Sequence, residues 1–114
     1  MPYISVNVGK TLSDEDKIKL MEVIASDISI LPGETAKNTM INIIDGCNMY
    51  INREQKNLAF VDIRVLGSFA LEAKDELVVA LTKDITDVCN IPTESQYFNI
   101  AEMDGWGSRG HFHK

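Results

Sequence analysis

The stretch Met1-Pro2-Tyr3-Ile4-Ser5-Val6-Asn7-Val8 places Ile4, Val6 and Val8 at alternate positions, with Tyr3, Ser5 and Asn7 between them. A period of two predicts a strand with one buried face. Pro2 stands at the strand's first position, where a missing N–H costs no ladder hydrogen bond. Removal of the initiator methionine would also make Pro2 a free amino terminus carrying a secondary amine. At the head of an apolar strand, desolvation disfavours the protonated amine and brings its pKa toward neutrality, so Pro2 is a candidate general base.

Beyond this strand, Ser13 predicts an N-cap ahead of Asp14, Glu15 and Asp16, whose charges suit the positive end of a helix dipole. Ile18, Met21, Ala25 and Ile28 then recur on one helical face, with Leu20 and Ile24 beside them, and Pro32-Gly33 ends the helix. Residues 39–44 predict a second strand, and residues 46–57 a turn region with a short hairpin.

The same order returns in the second half. A strand is predicted over 60–66, Gly67-Ser68 as turn and cap, a helix with Val78, Leu81, Ile85 and Val88 on one stripe, and a strand over 96–101. Val6 and Ile63, Val8 and Val65, Asn42 and Asn99, and Ile43 and Ile100 all stand 57 residues apart. The expected fold is therefore α+β: two βαβ repeats, about 1–57 and 58–114, in a single domain spanning 1–114. They form a four-stranded mixed sheet with both helices on one face, each crossover right-handed. The other face carries Tyr3, Asn42, Arg64, Tyr97 and Asn99. That set is too mixed for a dry core and too apolar for plain surface, which fits burial against further copies of the chain. A ferredoxin-like module with a wet free face has the same pattern.

Composition narrows the partners. Eleven Lys and Arg against 17 Asp and Glu give a net charge of −6, and without a basic cluster nucleic acid and acidic membranes are poor partners. Cys47 and Cys89 form no CxxC pair, so free thiols in a reducing compartment are expected. No signal peptide or spanning segment is readable, and the expected location is cytoplasmic.

The residues together resemble a known family. Met1-Pro2 before an alternating strand, Leu31-Pro32-Gly33, Asp45-Gly46-Cys47-Asn48-Met49-Tyr50, Val65-Leu66-Gly67, Ile91-Pro92, Tyr97-Phe98-Asn99 and Gly105-Trp106-Gly107 are similar in order and spacing to the tautomerase superfamily. Within it they resemble the branch of macrophage migration inhibitory factor and bacterial phenylpyruvate tautomerases. The resemblance implies a homotrimer whose sheets form a central barrel, with an active site at each subunit interface. It implies Pro2 as the catalytic base, Leu66 as the apolar residue beside it, and Tyr97 and Asn99 as groups supplied by a neighbouring subunit. The substrate implied is a small carbonyl compound of the 2-keto acid kind, and neither a metal nor an organic cofactor is implied.

One departure from that pattern bears on specificity. Keto-acid relatives carry a lysine directly after the glycine of the Pro-Gly pair, and here that residue is Glu34. A carboxylate facing a substrate anion would repel it. Lys37, Arg64 and Arg109 are the alternative cations. His111 and His113 read as an exposed tail rather than a metal site, and Asp14-Glu15-Asp16 as dipole-compensating charge. Three functions fit the sequence: an enol–keto tautomerase, a binding or signalling trimer without turnover, and a ferredoxin-like ligand-binding module.

Overall fold

A computed structural model describes all 114 residues. The core sheet is built from β1 (Tyr3–Val8), β2 (Met40–Ile44), β5 (Ala59–Leu66) and β6 (Gln96–Met103), with helices α1 (Asp14–Asp27) and α2 (Leu71–Cys89). Strand order is β2-β1-β5-β6: β1 runs parallel to β2 and antiparallel to β5, and β5 runs parallel to β6. Two hairpins stand outside it, β3 (Tyr50–Ile51) with β4 (Glu54–Gln55), and β7 (Trp106–Ser108) with β8 (His111–His113). The expected mixed sheet and strand–helix–strand layout are thus present.

Ile4, Val6 and Val8 are fully buried, as the alternation requires, and pack with Val61, Ile63 and Val65 of β5 under the helices. Each such side chain contributes about 1.5–3 kcal/mol relative to an exposed one. Ser5, on the opposite face, is also buried because β1 is an interior strand flanked by Asn42 and Asp62.

The α1 stripe differs from expectation. Ile18 is 59% exposed and Met21 is also exposed, while Leu20, Ile24 and Ile28 are buried. Both rows have helical spacing, and pattern alone does not fix the rotation of a helix about its axis. The helix also ends before Pro32: Asp27 is its last residue, and Ile28–Ile30 tighten into a 3-10 turn. In α2 the buried row is Leu77, Leu81, Ile85 and Cys89, one position off the expected start and end.

Caps follow polar chemistry. Ser13 Oγ accepts from the Asp16 N–H at 3.0 Å, as expected. Ser68 does not cap α2. Ala70 holds the N-cap position with no side-chain cap, and Glu102 on β6 instead anchors the lead-in and first turn by accepting from the Phe69 N–H at 2.6 Å and from Lys74 Nζ at 3.2 Å. These donors, the amide first, hold the Glu102 carboxyl below the usual range. No helix is long and apolar enough to cross a membrane.

Candidate active site

Pro2 is buried at the lead-in to β1. Its carbonyl accepts from the Met40 N–H at 3.0 Å, which fixes it between β1 and β2. In front of it opens a cavity of about 470 Å³. Met1, Pro2 and Tyr3 form one wall, Arg64 reaches it from β5, and Trp106 and Phe112 come from the β7–β8 hairpin. Asn38, Met40, Met103, Gly105 and Gly107 complete the lining.

The lining is mostly apolar with one charged side chain, Arg64. Arg64 lies directly across the ladder from Tyr3. Its Nη2 pairs with Asp62 Oδ2 at 3.2 Å, and half of its side chain stays exposed. A guanidinium at the rim of an apolar pocket suits a carboxylate-bearing ligand. The aromatic wall was missed in the sequence. Its signal is the turn: Arg109 and Gly110 both have positive φ, 52° and 81°, between the paired residues Ser108 and His111. A two-residue loop of this kind joins hairpin strands. His111 and His113, read as tail, are strand residues of β8.

Glu34 lies outside the cavity lining. Its Oε2 is 3.0 Å from the Met1 ammonium, and its side chain is only 11% exposed. Lys37 is exposed in a 3-10 turn beside Asn38. Leu66 is half-buried at the end of β5, opposite Met103. Tyr97 and Asn99 are exposed on β6, opposite Phe60 and Asp62, and do not line the cavity of their own chain. Tyr97 is four residues before Ala101, the partner of Arg64, roughly 13 Å along the strand. Asn99 borders a second groove beside Leu71, Lys74 and Val78 of α2.

Other reactive groups are held quiet. Burial pushes the Cys89 thiol up to about 11, which keeps it protonated and unreactive. No three His, Cys, Asp or Glu side chains gather closely enough to hold a metal ion.

The same architecture occurs in solved structures. Leishmania major MIF2 superposes with a TM-score of 0.89 at 20% identity, over 98% of this chain and 97% of that one. A macrophage migration inhibitory factor homologue from Prochlorococcus marinus gives 0.87 at 17% identity, over 98% and 99%. The chain has the tautomerase-superfamily fold. A fused 4-OT, solved as an asymmetric trimer, shares this tautomerase fold with a TM-score of 0.84 at 16% identity, over 96% and 94%. No protein-family model matches the sequence, and no curated protein matches it significantly. The likeness therefore lies in backbone geometry, with four-fifths or more of the side chains changed.

Proposed function

We propose that the chain, with Met1 removed, is a cofactor-independent enol–keto tautomerase in which Pro2 serves as base and then as acid. The observation that carries this reading is the placement of Pro2, which is buried at the lead-in to β1 and lines the apolar cavity. A neutral secondary amine there takes a proton from the carbon beside a ketone, leaving an enolate. The same nitrogen returns that proton to the other end of the enolate, so the enzyme ends as it began. The step needs a lone pair and a proton route, and no redox change.

For a 2-keto acid, Arg64 meets the carboxylate while Trp106 and Phe112 receive the apolar end. Leu66 supports the base from the end of β5, and Lys37 supplies a second cation near the mouth. We assign Tyr97 and Asn99 to the site of a neighbouring copy in a homotrimer, with an Asn99 donor offsetting the oxyanion charge. The exposed apolar residues of the open sheet face and the trimer of the fused 4-OT support that assembly. Two free thiols support a cytoplasmic, reducing compartment.

The test is enol consumption by Met1-free protein, verified by mass. Pro2→Ala is expected to keep the fold and lose most of the rate, and undiminished turnover in that variant overturns the assignment. A second reading has its own support: with Met1 retained, its ammonium is tied to Glu34 and its residue lines the cavity. Pro2 is then a tertiary amide with no basic lone pair, and the cavity binds without turnover.

A further inference from the structure

Glu34 has one ionic partner, the amino terminus at 3.0 Å, and is nearly shut off from solvent beside it. A carboxylate so sheltered needs a cation. When Met1 leaves, that cation moves inward by one residue to the Pro2 nitrogen, roughly 3–4 Å along the backbone. Pro2 itself stays fixed, because its carbonyl is held by the Met40 N–H. The carboxylate then lies within about 7 Å of the new amine before any side-chain adjustment.

We infer that Glu34 is a positioning residue for the amine of Pro2: it holds the ammonium form, so that the base is released at a higher pH than the cavity alone would set. This deepens the tautomerase reading and rests on it. The charged and titratable groups facing the amino terminus are Glu34 from the segment after α1, Tyr3 from β1 and Arg64 from β5. Arg64 acts in the opposite sense, but its charge is offset by Asp62 at 3.2 Å and it is far more exposed than Glu34. Glu34 therefore prevails. Its sign is that of any anion beside an amine: the charged form is favoured and the proton leaves later.

The experiment uses Met1-free protein labelled with 15N-proline, with the Pro2 nitrogen titrated by NMR. Glu34→Gln is expected to lower the midpoint by about one pH unit, a tenfold loss in proton affinity, and Glu34→Asp to recover part of it. In wild type, 1 M salt is expected to lower the midpoint as well, which tests the pairing without any substitution. A midpoint unmoved by both the glutamine variant and salt overturns the proposal. In turnover of an anionic enol, the acid limb of the pH–rate profile is expected to move down by the same amount in Glu34→Gln, with the plateau kcat lowered by less than that shift because the base is weaker. A uniform fall at every pH with the limb in place marks a purely structural role and also overturns it. The titration is independent of turnover, so an inactive protein counts against the tautomerase reading while the midpoints still decide the role of Glu34.

Discussion

Asp27 and Asp84 meet between α1 and α2, and Oδ2 of each is buried without a hydrogen-bond partner. Burial first, and then the Asp27 carboxyl beside it, push the Asp84 carboxyl up to about 7. The Lys83 ammonium opposes this, but it is itself tied to Asp87. Asp84 therefore stays protonated to a higher pH than a free carboxyl. In the unfolded chain Asp84 titrates near 3.8, so the folded state binds the extra proton between that pH and about 7. The stability from this proton is complete below the unfolded value and is lost as pH rises through the folded one. Discounted for the solvent that reaches the pair, the expected loss from pH 5 to pH 8 is about 1–2 kcal/mol. Urea unfolding at both pH values checks it. Asp84→Asn is expected to flatten that slope and to be more stable than wild type at pH 8, and a slope unchanged in the variant counts against a proton held by Asp84.

Arg64 gives the second prediction. It is the one full cation whose side chain lines the cavity, so Arg64→Gln is expected to raise KM for an anionic enol about tenfold, or about 1.4 kcal/mol. The corresponding neutral ester is expected to change little. Added salt is expected to shrink the difference, because Arg64 is half exposed. Equal KM changes for acid and ester would show that Arg64 acts through packing instead.

The parts of this fold that were legible in the sequence are those where one face decides the pattern. Ile4, Val6 and Val8 alternate against a fixed core, and a one-residue slip would expose all three. Ser13 was readable because an N-cap is local chemistry. The rotation of α1 was not, since Ile18 and Met21 compete with Leu20 and Ile24 for the same spacing and only the packed sheet chooses between them. Trp106 and Phe112 sit on three-residue strands, too short to show a period. The place of Glu34 depends on the chain folding back 33 residues to the amino terminus, a distance local pattern does not span.

Assembly gives the third prediction. Phe60 and Tyr97 are adjacent on the open sheet face, and both are exposed in the single chain, as are Met40 and Ile44. A homotrimer mass is expected by light scattering at low micromolar concentration. Phe60→Asp is expected to shift that mass toward the monomer, because burying an unpaired carboxylate against another copy is unfavourable. A wild-type monomer at this concentration sinks the trimer and, with it, the assignment of Tyr97 and Asn99 to a neighbour's site.

Gly105 separates the contribution of the aromatic wall from that of Pro2. A Cβ at Gly105 would run into the ring of Phe112 and come within 3.2 Å of the His113 carbonyl oxygen. Phe112 is 72% exposed, so its ring can swing outward at the cost of a strained rotamer, about 0.5–1.5 kcal/mol. Gly105→Ala is therefore expected to lower Tm by only a few degrees. The cavity changes more than the fold does, because the displaced ring no longer lines it. KM for an aromatic enol is expected to rise roughly threefold to tenfold, the scale of one lost apolar contact, while kcat stays close to wild type because Pro2 and its Met40 hydrogen bond are untouched. Phe112→Ala removes the same ring without crowding the backbone and is expected to raise KM in the same way with no loss of Tm. If kcat falls in both variants while KM holds, the hairpin shapes the transition state rather than the binding surface; if neither constant moves, the substrate does not reach Phe112.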